Sequence, residues 1–230
     1  MKLRLLTFLL AAAAITTACS DDDDNTGPGG EARVRVVHAS PDAPDVDVLV
    51  DGAEVLSDVP YLAASDYLDV PEGTHNIKVN AAGTATTVID ADVPLTDGTD
   101  YTVIASGFLA SIEPIVLTDD NTAPAAGNAR VRAIHGAPSA PAVDIYVTAP
   151  GADINTATPL VTNAVFGDVA DYVEAPAGSY QVRVTPTGTK TVVIDSGTLV
   201  LEAGQVRTAI AVDATGGGPP FDLLVLEDAN

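Results

Sequence analysis

Two histidines, His38 and His135, occupy matched surroundings. Each precedes a Pro-containing turn and then a segment that carries Asp47 or Asp144. Imidazole and carboxylate together can ligate a metal, which is the sharpest chemistry these residues offer. Strand alternation opposes it. Counting from Val34 and Val36 puts His38 on the core side, as Val131 and Ala133 put His135, whereas Asp47 and Asp144 lie opposite inward valines of the next strand. A histidine at such a position is expected to hydrogen-bond a turn carbonyl and fix the loop, because buried polar groups are normally paired. The four residues read as a shared architectural motif.

Nucleophilic chemistry fares no better. Ser40 lies near His38, but Ala137 takes its place beside His135. The sequence contains no Gly-x-Ser-x-Gly elbow, no His-Glu-x-x-His pair and no Gly-rich phosphate loop. The many carboxylates single out no catalytic pair. A non-enzymatic protein without a catalytic residue, a resident metal or a cofactor is therefore expected. Sugar binding usually needs flat aromatic platforms; with no Trp, only six tyrosines are available. Tyr67 and Tyr172 match each other just before a Pro-x-Gly turn, which points to a core or corner role.

Matched arginines complete the set: Arg33 and Arg35, then Arg130 and Arg132. They project away from Val34 and Val131. If the first two strands of each copy form a hairpin, Arg35 faces Asp47 and Arg132 faces Asp144. Such exposed cross-strand ion pairs stabilise by roughly 0.2–1 kcal/mol.

The elements that would position these residues follow from composition and pattern. Val, Ala, Leu and Ile dominate, aromatics make up 4% of residues, and 19 Gly and 16 Pro punctuate short segments. This favours strands over helices. Period-two alternation is plain: Val46, Val48 and Val50 against Asp45, Asp47 and Asp51, then Val143, Ile145 and Val147 against Asp144 and Tyr146. Turn signals such as Asp51-Gly52, Pro71-Glu72-Gly73, Asp97-Gly98 and Ala203-Gly204 separate the runs. The formal charge of −22 repels phosphate backbones, so nucleic-acid binding is not expected.

The chain also repeats itself. Residues 32–50 match residues 129–147 at an offset of 97, and residues 66–79 match 171–184 at an offset of 105, so the second copy carries a loop insertion near residues 149–159. Copy one spans residues 31–120 and copy two residues 128–230, with a short Ala/Pro/Gly linker at 121–127. About seven strands per copy predict an all-β fold: two tandem immunoglobulin-like β-sandwiches.

The N-terminus reads as an export signal. Lys2 and Arg4 precede an apolar run from Leu5 to Ile15, and small residues lead to Cys19, the single cysteine. Residues 1–18 are assigned to a signal peptide and 19–30 to an acidic, Gly-rich tether that cannot pack. Two fates are open. Cys19 resembles the acylated cysteine of bacterial lipoproteins, although Thr16 stands where that pattern prefers Leu; the alternative is ordinary secretion. The tether favours lipidation.

Arg-Val-Arg-(Val/Ala)-(Val/Ile)-His, then Pro-x-Ala-Pro-x-Val-Asp-(Val/Ile), then Tyr-x-x-(Val/Ala)-Pro-x-Gly, together resemble the DUF4397 family. Its members are largely bacterial secreted or envelope proteins, often with tandem copies. The resemblance covers both copies and implies no catalytic or binding residues. The expectation is a cell-envelope lipoprotein, at the outer membrane or cell surface. It would contact the membrane through its lipid and envelope proteins or glycans through its domains. The alternatives are a glycan- or Ca²⁺-binding module using acidic loops such as 42–51 and, last, an extracellular hydrolase.

Overall fold

The computed structural model describes residues 29–229. The stretch read as a signal peptide, Cys19 and most of the expected tether lie outside the described residues. No helix among them is long and apolar enough to cross a membrane.

The first copy contains β1 (Glu31–Ala39), β2 (Val46–Val50), β3 (Ala53–Val59), β4 (Leu68–Pro71), β5 (Gly73–Ala81), β6 (Thr87–Leu95), β7 (Asp100–Ser106) and β8 (Glu113–Asp119). They form two facing sheets, ordered β4-β1-β7-β8 and β3-β2-β5-β6. The second copy contains β9 (Asn128–His135), β10 (Val143–Thr148), β11 (Val161–Ala164), β12 (Val173–Pro176), β13 (Gly178–Pro186), β14 (Ile194–Asp195), β15 (Leu199–Leu201), β16 (Val206–Val212) and β17 (Asp222–Ala229). Its sheets repeat the order, β12-β9-β16-β17 and β11-β10-β13-β14, with β15 also on β13. The protein is thus nearly all β, built as two tandem sandwiches.

One expectation fails here. β1 and β2 are not a hairpin: the Pro-rich turn carries the chain from one sheet to the other, and β1 pairs with β4 antiparallel and β7 parallel. Pro41 and Pro44 provide no amide hydrogen for a tight ladder, so the segment crosses over instead of folding back. The same holds for β9, which pairs with β12 and, in parallel, β16.

Alternation then decides the interiors. Val34, Val36, Val48, Ile77 and Val103 meet between the sheets of the first sandwich. Val143, Ile145, Val184 and Ile194 do so in the second. A third apolar layer joins the two sandwiches: Val37, Ala39, Ile104 and Leu117 from one pack against Ile134, Ile210, Val212 and Leu226 from the other. The sheets that carry β1 and β9 are therefore buried on both faces.

Candidate functional site

The shared motif lies where each Pro-rich turn leaves its first strand. His38 is fully buried, and its Nε2 donates to the carbonyl of Pro44 at 3.1 Å. His135 Nε2 does the same to Pro141 at 3.1 Å. The carbonyl bond fixes the protonated nitrogen as Nε2. In the first copy the amide of Ser40, not its hydroxyl, approaches His38 Nδ1 at 3.4 Å. No Ser–His nucleophile pair is assembled.

Burial lowers the pKa of His38. The unfolded imidazole titrates near 6.5. Below that pH the unfolded chain takes up a proton that the folded site resists, so the contribution of His38 to stability is full at neutral pH and declines on acidification. His38→Asn is accordingly expected to flatten the fall in melting temperature between about pH 7 and 5, a window set by the reference value. Parallel pH-dependent melts of the two proteins check this.

Asp47 and Asp144 are not surface partners of arginine. Each is nearly buried at an irregularity of the ladder, where the register shifts between Val46 and Val48 and between Val143 and Ile145. Asp47 accepts from the amides of Asp58 and Gly83, both at 2.9 Å. Asp144 accepts from Asn163 and Gly188, both at 2.9 Å. Asp58 and Asn163 hold φ of 51° and 54°, so each carboxylate satisfies the amide of a left-handed residue. The amides of Gly188 and Asn163 hold the Asp144 carboxyl below the usual range. The extra residue of each irregularity lies in the neighbouring edge strand, β3 or β11, which bulges beside the carboxylate and supplies the amide that it accepts, something simple alternation does not reveal.

The structure therefore does not bring His38 to Asp47, or His135 to Asp144, as ligand pairs. Among the described residues no group of three or more His, Cys, Asp and Glu side chains is placed to hold a metal. The acidic stretch 42–51 is divided among separate donors: Asp42 accepts from the Leu109 amide, and Asp51 from His75 and the Asn76 amide.

The polar centre of the molecule lies elsewhere, between the sandwiches. Arg35 and Arg132 are 3% and 4% exposed, which overturns their reading as surface residues. Arg35 Nη2 reaches Asp228 Oδ1 of the second sandwich at 2.6 Å and stands 4.0 Å from Asp119. Arg132 pairs with Asp119 of the first sandwich. The ion pairs thus cross the domain boundary in both directions.

Each guanidinium is held by matching partners. Thr102 Oγ1 accepts from Arg35 Nη2 at 2.8 Å and donates to Asp119 at 2.6 Å; Thr208 Oγ1 accepts from Arg132 Nε at 2.8 Å and donates to Asp228 at 2.5 Å. The carbonyl of Glu227 accepts from Arg35, and that of Thr118 from Arg132. Tyr67 covers Arg35 with its ring centroid 4.9 Å away, and Tyr172 covers Arg132 at 4.7 Å. Their hydroxyls donate to Asp119 and Asp228. Burial, then the Asp119 contact, pushes the Tyr67 phenol well above its ordinary pKa; burial, then Asp228, does so for Tyr172.

Two arginines and two aspartates thereby form one charge-balanced buried cluster with approximate two-fold symmetry. Its aspartates and threonines escape a reading that stops at the opening motif. A signal exists, however: Thr102-Val-Ile-Ala matches Thr208-Ala-Ile-Ala, and Leu117-Thr-Asp119 matches Leu226-Glu-Asp228.

Comparisons with known proteins bear on kinship and leave the role open. No curated protein matches the chain. Among solved structures it is similar to the Bacillus anthracis TIE protein (13% identity, 79% of this chain and 33% of that one, TM-score 0.25). It is also similar to a leucine-rich repeat protein from Bacteroides thetaiotaomicron VPI-5482 (13%, 82% and 27%, TM-score 0.19). A third is CBMbc (family CBM26) from Eubacterium rectale Amy13K in complex with maltoheptaose (10%, 87% and 98%, TM-score 0.27). The chain spans about a third or less of the first two. Residues 9–146 and 147–230 both match the domain of unknown function DUF4397. The division at 146/147 falls inside β10, whereas the repeat and the sheets change over between β8 and β9. The chain belongs to the DUF4397 family.

Proposed function

We propose that this protein is a non-enzymatic component of the cell envelope. Cys19 carries a lipid, the acidic tether leads away from the membrane, and the paired sandwiches act as one rigid scaffold or interaction module. The observation that carries this reading is the crossed cluster of Arg35, Arg132, Asp119 and Asp228, which locks the sandwiches in one relative orientation. Swinging the domains apart would expose an apolar layer and separate four buried charges at once. The shared His and Asp residues support the same reading, since their polar atoms bond backbone groups of their own loops. Partner contacts then fall to edge strands and loops.

The anchor is tested directly. Cells expressing the full chain and fed labelled palmitate are expected to label the protein and retain it in the membrane fraction. Cys19→Ala should remove the label and release the protein to the soluble fraction. Equal labelling of both forms would refute the anchor.

A further inference from the structure

The two sandwiches share a topology but not an interior. The first is filled: its residual cavity between the sheets measures about 10 Å³. At the corresponding place the second encloses about 110 Å³. Strand register identifies the cause. Val34 pairs with Tyr101 and Val36 with Val103, as Val131 pairs with Arg207 and Ala133 with Ala209. Val70 pairs with Ala32, as Ala175 pairs with Ala129. Along one wall, therefore, Val36, Val70 and Val103 of the first copy are replaced by Ala133, Ala175 and Ala209 of the second.

Tyr101 is the fourth difference. It is 8% exposed, and its hydroxyl accepts from the Thr96 amide at 3.2 Å. Its counterpart Arg207 instead makes an ion pair with Glu227 at 2.5 Å. The opposite wall compensates only in part, with Ile145 for Val48 and Leu199 for Val93, while Leu201 repeats Leu95. Cavities left by large-to-small differences destabilise unless something fills them.

The space is also open. Val147, Leu160 and Val173 line it and are 38%, 53% and 41% exposed. They form an apolar lip over a lining that is almost wholly hydrocarbon. Water gains no partners in such a space, and a cavity of 150 Å³ with comparable walls holds benzene.

We propose that the interior of the second sandwich binds the alkyl end of a single-chain amphiphile. The chain enters past Val147, Leu160 and Val173 and ends against Ala133 and Ala209, while the polar part stays outside the lip. Size limits the buried portion to a short terminal segment, close to benzene in bulk. The site belongs to the second copy alone. This inference is independent of the lipid on Cys19.

The probe is n-hexanol, added to the full chain. Titration is expected to raise the melting temperature saturably, as a ligand of the folded state must. Nuclear Overhauser contacts should link the hexanol methyl group to the methyls of Ala133 and Ala209. Restoring the first-copy residues in A133V/A209V should weaken binding at least tenfold, with circular dichroism confirming the fold. Ala209→Val alone is the milder variant should the pair overpack. The proposal is overturned by a melting temperature that does not respond up to the solubility limit. Contacts to the first sandwich, or undiminished binding in the filled variants, overturn it equally.

Discussion

Asp119→Ala is expected to lower unfolding free energy by about 3–5 kcal/mol, the usual cost of leaving a buried charge without its partner. Asp119 accepts from Arg132, Thr102 and Tyr67 at once, with Arg35 4.0 Å away. Removing it leaves two guanidinium groups facing a single carboxylate in a space closed to water. Urea unfolding of the two proteins measures the loss. A loss below about 1 kcal/mol would match an exposed pair and would contradict the burial described above. Converting Arg35, Arg132, Asp119 and Asp228 together to apolar residues of similar volume should cost far less. Such replacement is often neutral, because desolvating the ions offsets much of their mutual attraction. The cluster is thus better understood as fixing how the sandwiches dock than as a large net source of stability.

Ile210→Ala should cost about 2–5 kcal/mol, as expected for truncating a fully buried aliphatic side chain. Ile210 is 0% exposed and lies in the layer shared by both sandwiches, facing the set that includes Ile104, also 0% exposed. Because that layer belongs to both domains, their melting should be coupled. Calorimetry should show one transition for the intact tandem. Ile104→Ala combined with Ile210→Ala should depart from additivity by about 0.5–3 kcal/mol, as residues sharing one cluster do. Two independent transitions in the unmodified protein, with additive losses, would show that the sandwiches fold as separate beads.

The charge balance gives the central cluster a further consequence. Among the described residues Arg33, Arg35, Lys78, Arg130, Arg132 and Arg207 pair with carboxylates, but only Arg35 and Arg132 are removed from solvent with theirs. Salt should therefore screen the outer pairs, such as Lys78 with Asp90, far more than the central one.

Much of the architecture is written locally. Alternating Val and polar residues make strands, Gly and Pro end them, and a repeated opening motif announces two copies of one sandwich. The seating of His38 and His135 against a Pro-rich turn follows from the same parity. Alternation divides a strand into two faces but does not say what covers the second. Arg35 and Arg132 have the pattern of solvent-facing residues and are buried because another sheet lies across them. Asp47 and Asp144 have the same pattern and are covered because a bulged edge strand and a turn lay their amides across them. The decisive bond, Arg35 to Asp228, joins residues 193 positions apart. Only the docking of one finished sheet on another brings such residues together, since no local periodicity encodes a contact between surfaces that must first exist. The unequal interiors likewise emerge only when matched positions are placed on facing walls and their volumes compared.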